Sequence, residues 1–207
     1  GEGGMILTSD LEMAEKLRSL RSHGASISET QRHHNKGYLL PEFNSLGFNF
    51  RLTDIQAAVG ISQMNKIDWL LEEKRKKALR YNELISSEVP WLITPVEPIG
   101  YVHTYQSYVC MLNTEALGFS SLSKANQFRN AIMDGLEQSG VATRQGTHAS
   151  HTLGYYRRKY GIREEDYPNA NRADKLSIAL PLYPQMSEED IEYVVLKLKE
   201  EYSKQKG

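Results

Sequence analysis

Apolar and polar positions along this chain alternate between two periods, three to four residues and two, and the switches mark out most of its elements. Met5-Ile6-Leu7-Thr8 is a short apolar run that reads as a buried strand, and Ser9-Asp10-Leu11-Glu12 then gives the reciprocal polar pattern that opens a helix. Met13, Leu17 and Leu20 recur on one helical face, and Gly24 is a suitable stop. Residues 25–45 are polar and basic, include His33, His34 and Lys36, and read as a long loop of the kind that serves binding or interfaces. A second helix start stands at Thr53-Asp54-Ile55-Gln56. Behind it Ile55, Val59, Met64, Ile67, Leu70, Leu71, Ala78, Tyr81, Leu84 and Ile85 keep helical spacing until Pro90. One helix from 54 to about 86 would be roughly 50 Å long at 1.5 Å per residue, a strut between two domains.

Prolines 90, 95 and 98 mark a linker, after which residues 105–112 alternate as a strand. Residues 123–139 carry Phe128, Ile132 and Leu136 on one stripe and end at Gly140. Val141-Ala142-Thr143 reads as another strand, Pro168 opens a short helix, and Ser177-Ile178-Ala179-Leu180 is a third strand before Pro181. Ser187 caps a last helix bearing Ile191, Val194, Val195 and Leu198. Strands alternating with helices predict a compact α+β domain from about 90 to the end. No internal repeat interrupts this order.

Composition narrows the function classes. The 207 residues are 40% hydrophobic and 25% charged, ordinary for a globular protein. A formal net charge of −1 argues against a chain whose task is gripping nucleic acid or anionic lipid. The run Glu72-Glu73-Lys74-Arg75-Lys76-Lys77 falls inside the predicted strut and reads as a solvated helix face. Cys110 is the single cysteine and sits in an alternating apolar stretch, where it reads as a small buried hydrophobe. No apolar run reaches 18 residues and no leader pattern is present, so neither a membrane span nor a secretory signal is expected, and a reducing cytoplasm fits.

Candidate chemistry lies in three places. Asn49 and Arg51 alternate along an extended stretch before the helix start, so both would project to one side, an amide and a guanidinium able to hold a phosphate or carboxylate. The competing reading gives Asn49 a turn and Arg51 an ordinary ion pair. Thr143-Arg144-Gln145-Gly146-Thr147-His148-Ala149-Ser150-His151-Thr152-Leu153-Gly154-Tyr155-Tyr156 sets small residues between donors and aromatics, which suits a sugar or nucleotide, or equally a polar loop. His103 stands at a strand edge, where its imidazole could bond substrate or backbone. The pairs His33/His34 and His148/His151 lack partners at zinc-site spacing, and no metal is expected. Nothing resembles a hydrolytic triad, a triphosphate-binding loop or a dinucleotide fingerprint.

Gly1-Glu2-Gly3-Gly4-Met5, the stretch Gly47-Phe48-Asn49-Phe50-Arg51-Leu52-Thr53-Asp54-Ile55-Gln56-Ala57-Ala58, His103-Thr104-Tyr105-Gln106-Ser107-Tyr108, Tyr167-Pro168-Asn169-Ala170 and Leu180-Pro181-Leu182-Tyr183-Pro184-Gln185 occur together and in order. In this the chain closely resembles the DegT/DnrJ/EryC1/StrS family of pyridoxal-phosphate-dependent sugar aminotransferases. The resemblance implies the C-terminal portion of an α/β enzyme of the aspartate-aminotransferase type (fold type I), beginning just after the Schiff-base lysine. Residues 1–60 would finish the large cofactor domain, 61–89 form a long linking helix and 90–207 the small α+β domain. It implies that Asn49 reaches the cofactor phosphate of a neighbouring subunit in a homodimer, with Arg51 beside it. His103, Arg144, Thr147, His148 and His151 would line the substrate pocket. His151 matches the histidine of a Pro-Leu-His pattern whose preceding residues are here Ala149-Ser150.

The intact enzyme would move an amino group, commonly from glutamate, onto a nucleotide-linked keto-sugar for deoxyamino-sugar or cell-surface polysaccharide synthesis, and this stretch alone would be inactive. Neither nucleic acid nor membrane is an implied partner. Two alternatives stay open: a non-catalytic dimerisation or regulatory module of the same origin, and part of a dehydratase in which histidine replaces the lysine. An unpaired strand edge at residues 5–8 also points to association into a dimer or larger assembly.

Overall fold

The computed structural model describes residues 2–26 and 41–206, which divide into two compact units, 1–66 and 67–207. The predicted long loop with His33, His34 and Lys36 lies for the most part outside the described residues.

The first unit holds α1 (Leu11–Arg21) and α2 (Asp54–Met64). The α1 cap is Asp10, one residue later than the sequence pattern places it, and its side chain accepts from the Met13 amide at 3.1 Å. Thr53 caps α2 as predicted: its hydroxyl accepts from the Gln56 amide at 3.3 Å, and the Gln56 side chain accepts from the Thr53 amide at 3.0 Å. The strand expected over residues 5–8 is not formed, since a strand exists by pairing and no described residue pairs with this run. Met5, Ile6 and Leu7 stand exposed, and α2 has no buried residue.

The strut from 54 to 86 is likewise corrected to two helices, α2 and α3 (Ile67–Glu88). At the junction the Lys66 amide bonds the Gln63 carbonyl, three residues back, so the four-residue ladder is interrupted. Asn65, a short polar side chain suited to helix ends, is the α2 C-cap. The apolar period runs straight across this junction, which is why the two helices read as one.

The second unit contains the core. Its sheet has three antiparallel strands in the order β1 (Leu92–Ile93), β2 (Tyr108–Leu112), β3 (Ser177–Leu180), with Leu92 opposite Leu112, Tyr108 opposite Leu180 and Cys110 opposite Ile178. Tyr108, Cys110 and Leu112 all point inward, the period-two burial of a strand with one covered face. The predicted strand 105–112 starts only at Tyr108, because Tyr105 has φ +46, outside any strand conformation.

A short α4 (Thr114–Leu117) leads to α5 (Leu122–Gln138), whose Phe128, Ile132 and Leu136 are buried, followed by Gly140 at φ +76. α6 (Gly154–Tyr160) is preceded by a 3₁₀ turn, Ser150–Thr152, and a second, Glu164–Asp166, precedes α7 (Pro168–Leu176), with Pro168 in its first turn. α8 (Glu188–Lys206) starts where Ser187 accepts from the Asp190 amide and closes the core with Ile191, Val194, Val195 and Leu198. α3 and α5 both pack on α8, so Ala78, Tyr81 and Ile85 of α3 belong to the same core as the sheet. The strand expected at 141–143 reduces to one bridge, Arg144 with Ala179. Among the described residues no helix is long and apolar enough to cross a membrane.

Candidate functional site

In the first unit, residues 48–51 form an extended segment laid against the end of α1. The Phe48 amide donates to the Leu20 carbonyl at 2.9 Å, the Phe50 amide to that of Arg21 at 2.9 Å, and the His23 amide to that of Phe48 at 3.0 Å. Asn49 forms an isolated bridge with Ser22. Alternation then separates the side chains: Phe48 and Phe50 stack with centroids 5.3 Å apart, and Asn49 and Arg51 fall on the other side. The close crossing requires glycine at 47, where a Cβ would run into the Gly24 nitrogen and lie 2.8 Å from the Leu20 carbonyl oxygen. Asn49 is exposed and its amide has no hydrogen-bond partner among the described residues. Arg51 is half-buried and donates from Nη1 to the Ser22 hydroxyl at 3.1 Å, a partner the sequence does not announce.

In the second unit, His103 lies on the irregular connection between β1 and β2. Its amide donates to Glu97 Oε2 at 2.7 Å, and its carbonyl accepts from Arg75 Nη1 at 2.7 Å. Arg75 and Glu97 pair in two-pronged fashion, Nη2 to Oε1 at 3.1 Å and Nη1 to Oε2 at 2.6 Å. The Arg75 guanidinium foremost, and then the His103 amide, hold the Glu97 carboxyl at about 2, well below the ordinary 4.5. An open depression of about 310 Å³ is lined by Glu97, Pro98, Tyr101, Val102 and His103.

The 143–151 loop is built separately on the free side of β3. Arg144 exchanges both backbone bonds with Ala179 and directs Nη1 to the Thr143 carbonyl at 2.9 Å. Gly146 is wedged against the sheet: a Cβ there would collide with Val109 and lie 2.8 Å from Ser177 Cβ. Asp174, on α7, is the organiser that sequence reasoning missed. Its Oδ1 accepts from Gln145 Nε2 at 2.8 Å and from the Ala149 amide at 2.9 Å. Gln145 Nε2 also donates to the Thr147 carbonyl at 2.7 Å, and Thr147 and His148 stay exposed.

His151 is instead buried, with Nε2 3.2 Å from the Glu164 carbonyl oxygen and its ring 5.0 Å from that of Tyr167. The loop thus gathers Arg144, Thr147 and His148 on one surface segment, turns His151 into the protein, and shares no hydrogen bond or ring contact with His103. The carboxylates Glu97 and Asp174 carry these arrangements. Neither stands out in sequence, except that Glu97 is a charge between Pro95 and Pro98 in an otherwise apolar linker. Among the described residues no group of three or more histidines, cysteines or carboxylates could hold a metal.

The chain resembles known proteins along nearly its whole length. Spore coat polysaccharide biosynthesis protein SpsC of Bacillus subtilis (strain 168) is 31% identical over 195 residues, 94% of this chain and 48% of that protein. An uncharacterized protein of Methanocaldococcus jannaschii, MJ1066, is 32% identical over the same shares. The chain spans about half the length of the curated relatives it matches.

Among solved structures, Helicobacter pylori PseC, an aminotransferase involved in the biosynthesis of pseudoaminic acid, superposes with a TM-score of 0.77 at 20% identity, over 95% of this chain and 48% of that one. Spr1654 of Streptococcus pneumoniae in its PLP form gives 0.76 at 21%, over 95% and 45%. The fold is that of the fold type I, pyridoxal-phosphate aminotransferases, of which this chain covers a little under half. Aminotransferases of the matching family use pyridoxal 5'-phosphate. With that family's model matching residues 1–199, the chain belongs to the DegT/DnrJ/EryC1/StrS aminotransferase family.

Proposed function

We propose that the intact protein transfers an amino group, from glutamate as donor, to a nucleotide-linked keto-sugar in deoxyamino-sugar or surface-polysaccharide synthesis, working as a homodimer in the cytoplasm. Residues 1–60 complete the larger cofactor domain, 61–89 link, and 90–207 form the smaller domain that supplies part of the sugar pocket. On the family resemblance we assign the Schiff-base lysine to the intact protein outside these residues, and turnover by the 207 residues alone with cofactor, glutamate and keto-sugar would overturn that assignment.

The residues present fit a cofactor phosphate. Asn49 offers an exposed amide without a partner among the described residues, and Arg51 adds a guanidinium on the same side of the segment. When bound, pyridoxal phosphate supplies the electron-accepting ring system that amino transfer needs. The work of this chain's residues is binding and orientation. Asn49 and Arg51 hold the phosphate of the neighbouring subunit's cofactor, while His103, Arg144, Thr147 and His148 contact the nucleotide-sugar. His151, buried against Glu164 and Tyr167, shapes the pocket wall from behind.

The observation that carries this reading is the Asn49 amide on a backbone pinned to α1 by hydrogen bonds on both sides of it. Asn49→Ala in the full-length dimer should weaken pyridoxal phosphate binding about tenfold, the worth of one charge-assisted hydrogen bond. Cofactor affinity equal to the parent's would overturn it.

A further inference from the structure

His103 accepts from the Tyr105 backbone amide through Nδ1, N···N 2.9 Å. A backbone N–H can only donate, so the neutral imidazole carries its proton on Nε2. No described residue accepts from Nε2, and His103 is one of the residues that line the open depression with Glu97 and Tyr101.

This tautomer is bought with strain. Tyr105 has φ +46, a rare conformation for a bulky residue that surroundings must impose. The surroundings are identifiable: Arg75 binds the His103 carbonyl, Glu97 binds the His103 amide, and the two lock each other. Tyr105 is 2% exposed, and its ring centroid lies 4.3 Å from that of His103 and 6.0 Å from the Arg75 guanidinium carbon. Both polar backbone groups of His103 and one ring nitrogen are thereby fixed, and one N–H is left over.

We propose that His103 presents Nε2–H as a fixed hydrogen-bond donor to an acceptor oxygen of the nucleotide-sugar, phosphoryl or hydroxyl, and that the Arg75–Glu97 pair is the device that positions it. The inference rests on the sugar-nucleotide reading above. His103 and Glu97 are here separable into a contact residue and a positioning residue, and a two-pronged Arg–carboxylate pair holding both sides of one peptide is stiff enough for the task.

The test uses the full-length holoprotein with UDP-glucose, dTDP-glucose, UDP and dTDP as probes, by titration calorimetry. His103→Asn keeps an oxygen that can accept from the Tyr105 amide and removes the outer N–H, so a purely structural histidine would be rescued by it. The expected result is an unchanged thermal midpoint with about a tenfold loss of affinity for the best-bound nucleotide-sugar. An equal loss for the free nucleoside diphosphate places the acceptor on the nucleotide part; a loss confined to the nucleotide-sugar places it on a hydroxyl of the sugar.

Glu97→Gln should weaken binding in the parent and add little in the His103→Asn background. Nitrogen-15 shifts of the His103 ring should report the Nε2–H form in the parent and a mixture in Glu97→Gln. Unchanged affinity in His103→Asn, no binding of any probe to the parent, additive losses, or an Nδ1–H ring would each overturn the inference. The wider transaminase reading fails by a separate sign: no spectral change of the bound cofactor on adding glutamate alone.

Discussion

Gly47 lies so close to Gly24 that it has no room for a side chain: a Cβ on Gly47 would overlap the Gly24 nitrogen and lie 2.6 Å from the His23 carbonyl carbon. Gly24 is doubly constrained, since its φ of +77 is a glycine conformation and its own Cβ would run into the Ser45 carbonyl. The obstacles are backbone atoms, which cannot swing aside. Gly47→Ala should therefore shift residues 48–51 off α1 at a cost of about 1–3 kcal/mol. In the full-length protein it should weaken pyridoxal phosphate binding as Asn49→Ala does, although it removes no polar group. Fluorescence titration of the cofactor checks this, and parent-like affinity would refute it.

Glu97 makes the second unit sensitive to acid. Its folded value of about 2 lies below the ordinary 4.5, so its stabilising bonds are fully present above about 4.5 and are lost as pH falls toward 2. Melting temperatures of the parent should fall more steeply across that window than those of Glu97→Gln. Parallel profiles would show that the Arg75 pair contributes nothing to folding.

Cys110 should be inert. It is fully buried on the inward face of β2, and desolvation pushes its thiol up to about 12. An aromatic disulfide reagent at pH 8 should leave the native thiol unmodified over an hour and titrate it promptly in denaturant. Rapid native labelling would mean that the sheet opens.

Asp174 holds the 143–151 loop through one carboxylate oxygen with two donors. Asp174→Ala strands the Ala149 amide and should cost about 1–3 kcal/mol, with a raised KM for the proposed nucleotide-sugar in the full-length protein. Asp174→Asn retains an acceptor oxygen and should lie near the parent in both. Reversal of that order in denaturant melts and steady-state kinetics would remove Asp174 from its assigned role.

What could be read in the sequence depended on whether the responsible partner is near in the chain. The caps at Thr53 and Ser187, the Pro168 helix start and the alternation of Tyr108, Cys110 and Leu112 are local signals, and each marks the element it predicts. The α2–α3 junction was masked because Met64, Ile67, Leu70 and Leu71 keep helical spacing across it. β1 has two residues and α6 no buried face, so neither leaves a periodic trace.

The candidate residues show the same division. Asn49 and Arg51 share a side by simple alternation, whereas Arg75 and Glu97 are 22 positions apart, and Asp174 is 29 from Gln145. In sequence Arg75 is one charge in a solvated run. Only the fold turns it toward Glu97.

The distribution of burial decides what a denaturation experiment on these 207 residues measures. In the first unit Ala25 is the one buried apolar side chain among the described residues, whereas the whole aliphatic and aromatic core belongs to residues 67–207. A urea curve should thus have the slope of a domain of some 140 residues rather than of the entire polypeptide, because denaturant sensitivity follows newly exposed area. Amide exchange should be slowest in β2, α5 and α8 and fast throughout α1 and α2, whose helices are shielded by few neighbours.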